Sequence, residues 1–266
     1  MSGGIQFAQV SAGGDHTCGL DLAGRAYCWG QNQSGQLGDG TKTIRTTPVA
    51  VSGGLVFSSI SAGSGTTCAV AVDGAPFCWG ANALGQVGDG GPLGGTFTVP
   101  NRVVIGLSAT RVSVGLQYAC AMTTAGQGYC WGGQTASGAA VQTSTPLAMA
   151  GSLSIGWLSA GASHGCDVTT QNQIYCWGNN GSGQLGVVGG TSVRPVLAAN
   201  GLKAIEVVSA GIGTGSGAHT CAVSVNRMTV YCWGQNDVGQ VGNGAFTAVG
   251  TVNATPTIVV SQKPLP

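Results

Sequence analysis

Short runs of Val, Ile, Thr and aromatic residues recur along the whole chain, each fenced by Gly, Asn or Asp. One set reads FAQVSAG, VFSSISAG, TRVSVG, GWLSAG and IEVVSAG; a second reads RTTPVAV, TVPNRVVI, TSTPLAMA, SVRPVLAA and NATPTIVV. Runs of this composition between turn-forming residues are strands. Each member of the first set is followed by two shorter apolar segments, such as HTCGLDL and AYCWG, so the pattern predicts four strands per unit and an all-β chain.

The units repeat. Trp-Gly steps fall at Trp29, Trp79, Trp131, Trp177 and Trp233, separated by 50, 52, 46 and 56 residues. Four strands at this period suit the blade of a β-propeller, so residues 1–266 are expected to form a single propeller domain of five repeats. A tryptophan in this repeated slot, between Cys and Gly, is expected to pack between blades.

Each of these tryptophans follows a cysteine that has a partner upstream: Cys18 and Cys28, Cys68 and Cys78, Cys120 and Cys130, Cys166 and Cys176, Cys221 and Cys232. In CGLDLAGRAYC, pairing Cys18 with Cys28 across a hairpin sets Asp21 opposite Arg25 and leaves Leu22, Ala23 and Gly24 as the loop, with glycine in the left-handed position. Directly opposed residues on antiparallel strands come within the Cα separation a disulfide needs. One cross-strand disulfide per unit is therefore expected, using all 10 cysteines.

His16, Thr17, Leu20, Gly24, Tyr27, Trp29, Gly30 and Asn32, followed by Gly35, Gln36, Leu37 and Gly38, resemble the unit of the regulator-of-chromosome-condensation repeat family. CWGNNGSGQLG and CWGQNDVGQVG repeat its latter half, whereas the third unit reads WGGQTASGAA, and the paired cysteines depart from the eukaryotic pattern. The resemblance implies a β-propeller, usually with more blades than the five units present. Because the chain opens on FAQVSAG and ends on NATPTIVV, the expectation is five blades of four antiparallel strands closed by the C-terminal strand in the first blade. A partial or larger ring is the alternative.

Composition narrows the function. Only 9 Lys+Arg and 8 Asp+Glu are present, with no basic cluster, which argues against nucleic acid as a partner. No apolar run reaches the length of a membrane span. His16, His164 and His219 stand two residues before a cysteine, yet the second and third units put Thr66 and Tyr118 there while keeping both cysteines, so no metal is expected. No nucleophile elbow or phosphate loop is visible, and neither enzymatic activity nor a cofactor is expected. Five disulfides favour an extracellular or envelope location, although MSGGIQFAQV lacks the features of a secretion signal.

The leading expectation is a rigid, non-enzymatic scaffold for protein–protein interaction, similar to the secreted bacterial propellers that inhibit β-lactamases. A structural or adhesive component of a surface or virion, and a carbohydrate-binding propeller with a glycan partner, are the alternatives. Strand direction alternates within a blade, so the connections that vary in length share one face; they include GIGTGSGAHT, GDGGPLGGTFTVP and GNGAFTAVGTVNATP. Variable loops on a constant scaffold are where binding residues concentrate. The candidate binding residues are Arg45, Phe97 and Phe246 on these loops, and Trp157, which stands where other units have Gln9, Ser59, Arg111 and Val207.

Overall fold

The computed structural model describes residues 4–104, 106, 108–198, 201–209, 218–248 and 250–260. Blade 1 comprises β1 (Phe7–Ala12), β2 (His16–Asp21), β3 (Ala26–Gly30) and β4 (Arg45–Ala50). Blade 2 follows with β5 (Phe57–Ala62), β6 (Thr66–Ala71), β7 (Pro76–Ala81) and β8 (Thr96–Arg102). Blade 3 has β9 (Ala109–Val114), β10 (Tyr118–Thr123), β11 (Gly128–Gly132) and β12 (Thr143–Ala148). Blade 4 has β13 (Ile155–Ala160), β14 (His164–Thr169), β15 (Ile174–Gly178) and β16 (Ser192–Leu197). Blade 5 has β17 (Ala204–Ser209), β18 (His219–Ser224), β19 (Val230–Gly234) and the short β20 (Thr257–Ile258). In each blade the four strands lie in chain order.

The middle hairpin of every blade carries the disulfide. Cys18 lies directly opposite Cys28, and the equivalent pairs Cys68–Cys78, Cys120–Cys130, Cys166–Cys176 and Cys221–Cys232 are likewise bridged. The turn closes as the sequence requires. The Asp21 amide donates to the Arg25 carbonyl, the Gly24 amide donates to the Asp21 carbonyl, and Gly24 has φ +77°. The Asp21 carboxylate also accepts from the Arg25 guanidinium at 2.7 Å.

The outer strand of each blade is the Pro-containing segment after the tryptophan. Tyr27 pairs with Ala50, and Cys28 with Val49. At the other end Tyr231 pairs with Ile258, and Cys232 with Thr257. The C-terminal strand thus completes the fifth blade, which corrects the expectation that it would complete the first. The cause is local: the long loop after each tryptophan doubles back on a compact corner and returns its chain beside the strand it left. The short segment after the outer strand then crosses to the next blade.

The first strands β1, β5, β9, β13 and β17 pack in that order around the axis. Serines on them tie blade to blade. Ser11 Oγ accepts from the Ala62 amide at 2.9 Å, Ser61 Oγ from Val114 at 3.1 Å, and Ser113 Oγ from Ala160 at 2.8 Å. Among the described residues no contact of comparable extent joins β17 to β1. Trp29 is half-buried, whereas Trp79, Trp131, Trp177 and Trp233 are buried. The described blades therefore stand side by side about the axis, each completed by its own fourth strand and none by the last strand of the chain reaching back to the first blade.

The core lies between the blades. Cys18, Cys28 and Leu37 of blade 1 pack with Ile60 and Trp79 of blade 2; the second and fourth seams are built in the same way, and the third packs Cys120, Cys130 and Ala136 with Leu158 and Trp177. At the first seam the Gln36 carbonyl accepts from the Trp79 indole N–H at 2.9 Å and from the Thr67 hydroxyl at 2.8 Å. The Thr67 hydroxyl has then spent its proton, so His16 Nε2, 2.8 Å away, must be the donor between them. The fourth seam repeats this latch with Gln184, Trp233, Thr220 and His164.

Candidate binding face

Because the strands run up and down, the loops β3–β4, β7–β8, β11–β12, β15–β16 and β19–β20 emerge on one face. Asparagine builds the corners of four of them, all but β11–β12. Asn32 Oδ1 accepts from the Leu37 amide at 3.0 Å, as do Asn82 from Val87, Asn180 from Leu185 and Asn236 from Val241. Each corner seats an aliphatic side chain in the seam and holds the loop beyond it at a fixed height. Each of the five loops then exposes a large apolar residue: Ile44, Leu93, Val141, Val188 and Phe246. The opposite face exposes Leu22, Val72 and Met228 on tight hairpin turns.

The four candidate residues are not brought together. Arg45 is the first residue of β4, and its guanidinium pairs with the Asp39 carboxylate at 2.9 Å. Burial works against that charge, but hydrogen bonds from Thr41, Arg45 and Asn32 hold Asp39 below the usual carboxylate range. Arg45 thereby braces its own loop. Phe97 packs against the apolar clusters on both sides of blade 2. Phe246 stands 74% exposed, with its ring edge above Gly239. Of GIGTGSGAHT, residues 211–217 lie outside the described residues.

Trp157 lines the axial channel, a space of about 250 Å³ bounded also by Gln9, Ser59, Arg111 and Val207. The repeat slot is thus the channel wall. The Arg111 guanidinium lies over the Trp157 ring, 3.5 Å from its centroid, and the indole N–H donates to the Val207 carbonyl at 2.9 Å. Both the polar handle and one face of this ring are occupied from within the protein. Burial depresses the Arg111 pKa, and the nearby Glu206 opposes that shift.

The third seam differs from the others. Ala136 takes the place of Gly38, since the Ala150 amide donates to Ala136 O just as Ser52 does to Gly38 O. Yet Ala136 follows Trp131 by five residues, where Gly38 follows Trp29 by nine. The corner that carries the Gln carbonyl is missing. Tyr118 occupies the His slot and donates to the His164 carbonyl at 2.6 Å, while Gly165 stands where Thr67 stands in blade 2. A cleft of about 260 Å³ opens between residues 133–142 and 191–193, with Trp177 in its lining. WGGQTASGAA departs from the repeat pattern in the sequence; the separation of 46 residues to the next Trp-Gly step, the shortest of the four, was the signal of the deletion.

Five disulfide-stapled, four-stranded blades packed about an axis define a β-propeller repeat scaffold. Segments in blades 1, 2 and 4 match the RCC1 repeat. Family models described as the regulator of chromosome condensation (RCC1) repeat match residues 7–36, 57–86 and 158–184, and a second match covers 23–70. The probable E3 ubiquitin-protein ligase HERC3 of Homo sapiens is 46% identical over 48 residues, covering 18% of this chain and 5% of HERC3. The chain thus spans a small part of that relative's length. Human WBSCR16 superposes with a TM-score of 0.79 at 18% identity, over 96% of this chain and 67% of that one. Prp20p from Saccharomyces cerevisiae, a structure described with binding properties to Gsp1p and histones, gives 0.78 at 21% identity over 96% and 65%.

Proposed function

We propose that the chain is a non-enzymatic protein-binding scaffold that works in an oxidising compartment, at the cell exterior or envelope. In this reading it holds its partner on the face that carries the long loops. The observation that carries the reading is the set of exposed apolar tips on one face, one per blade: Ile44, Leu93, Val141, Val188 and Phe246. Rigid blades hold these tips at fixed spacing, which lowers the ordering cost of binding. Prp20p, described with binding properties to Gsp1p and histones, supports the general use of such a scaffold for protein partners. The location rests on the five disulfides, since thiol pairs in this number are seldom oxidised in the cytosol.

The test uses a partner recovered from the native surroundings. Changing Val188 and Phe246 together to Ser should weaken its binding at least tenfold while shifting Tm by no more than about 2 °C, because both side chains are largely in water. A Leu22→Ser/Met228→Ser variant on the opposite face should bind as before. The reverse ranking would move the interface to the other face. Protein isolated without reductant should take up no alkylating reagent; free thiols would sink the proposed location.

A further inference from the structure

Four of the five blades carry the Asn-x-x-Gly-Gln-Leu/Val-Gly corner, and blade 3 does not. What the corner does is visible at the seams that keep it. The Gln36, Gln86 and Gln184 carbonyls accept from the Trp79, Trp131 and Trp233 indole N–H groups at 2.9, 2.9 and 3.0 Å. The residue after each glutamine, Leu37, Val87 or Leu185, is wholly buried in the seam. At the third seam Trp177 is 1% exposed, and its indole N–H has no partner. Gln134 Oε1 is a second orphan: it is buried without a donor, although the same amide donates from Nε2 to the Ser163 carbonyl at 2.9 Å. Both residues line the cleft of about 260 Å³ that the deletion leaves.

A buried donor and a buried acceptor, each unsatisfied, are costly unless something completes them. They belong to residues that line a space which a short peptide turn fills in the sibling blades. We infer that this cleft is a socket for a loop of a partner protein, a Gly-Gln-Leu-Gly-like turn that supplies the missing corner in trans. Its backbone carbonyl takes the Trp177 indole N–H, one of its N–H groups goes to Gln134 Oε1, and an aliphatic side chain packs by Ala136 and Val193. Ala136 suits an open site. In the sibling blades a Cβ at the equivalent Gly38 or Gly88 would stand 2.7 or 2.6 Å from the indole nitrogen, so glycine is required there. Blade 3 instead carries alanine at φ +52° and leaves the lost hydrogen bond to a newcomer.

The inference rests on the long-loop face as the binding face, since the cleft opens there, but it can be tested without the natural partner. In the ¹⁵N spectrum of the whole chain the Trp177 indole resonance is assigned by its loss in Trp177→Phe. The probe is the blocked peptide acetyl-Ser-Gly-Gln-Leu-Gly-amide. The Trp177 indole peak should move saturably while the other five tryptophans stay in place, and its amide-type exchange should slow at least tenfold. A graft that replaces residues 133–135 with the seven residues Gln31 to Leu37 rebuilds the corner in cis, and should abolish the response. If Trp177 does not move up to the solubility limit of the peptide, or moves equally in the graft, the socket is only a hydrated defect. That result would leave the Val188/Phe246 experiment intact, so the two readings fail separately.

Discussion

The first and third seams of the propeller join blades of the same architecture with opposite polar accounting. At the first seam the Gln36 carbonyl gathers two donors, Trp79 and Thr67, and His16 donates in turn to Thr67. At the third seam Trp177 has no acceptor, both oxygens of Asp167 are buried without a donor, and Tyr118 replaces the histidine. Asp167 belongs to this seam because side chains alternate along β14. Cys166 and Val168 pack toward blade 5, so Asp167 between them turns to blade 3. The blade repeat thus fixes backbone pairing and disulfide everywhere, while the polar latch is assembled seam by seam: complete at the first and fourth, reduced to the Gln86–Trp131 bond at the second, and lost at the third without losing the fold.

The two kinds of seam should respond to acid in opposite directions. Burial lowers the pKa of His16 to about 4, with Asp15 opposing, and burial together with the charge of His219 lowers His164 to about 4. The geometry explains this: with Nε2 donating to threonine, a second proton must sit on Nδ1, which is buried and has no acceptor. The unfolded chain takes that proton near pH 6.5. Stability from these residues is therefore complete above pH 6.5 and falls as pH drops toward about 4, by about 3 kcal/mol for each latch. Chemical denaturation at pH 7 and pH 4 measures the loss, and a His16→Asn/His164→Asn variant should lose much less across the same window. An equal loss in that variant would place the acid-sensitive groups elsewhere.

Asp167 should do the reverse. Burial raises its pKa well above 3.8, so the folded chain keeps a neutral carboxyl where the unfolded chain ionises. The penalty is absent below pH 3.8 and grows as pH rises toward the folded-state pKa. The equivalent positions in blades 2 and 3 are Ala69 and Ala121. Asp167→Ala should therefore stabilise the protein at pH 7 by about 1–3 kcal/mol and by little at pH 3. Thermal melts at the two pH values decide; a destabilised variant at pH 7 would mean that the carboxyl has a partner.

Much of this was legible in the chain. Cysteines ten residues apart around LDLAGRAY dictate a hairpin, and Gly24 at φ +77° sits where the loop demanded it. The phase of the blade was not legible. A period gives the spacing of like residues but not which side of the tryptophan the Pro-containing strand joins, and that depends on the Asn32 corner folding the loop back onto β3. Arg45 was expected to bind a partner from its residue type alone; its pairing with Asp39, six residues earlier, was not read from the sequence. Phe97 read as a loop tip because its strand boundary was invisible; it lies in β8 and packs against the seams. Unsatisfied groups are the hardest to foresee, since a missing partner is a property of the neighbouring blade, not of the residue.

The smallest expected effect isolates the hydrogen bond itself. Trp79→Phe and Trp177→Phe remove the same indole from the same slot, so each loses similar packing, and the two costs differ in what the N–H was doing. Trp79→Phe deprives the Gln36 carbonyl of one of its two donors. Trp177→Phe deletes a donor that had no acceptor and so relieves a buried orphan. The cost at Trp79 should exceed that at Trp177 by about 1 kcal/mol, the net worth of a buried hydrogen bond. For a chain of this size that is about 2–4 °C in Tm. Equal costs for the two variants would show that the indole N–H contributes nothing at the complete seam, and that shape alone holds the blades together.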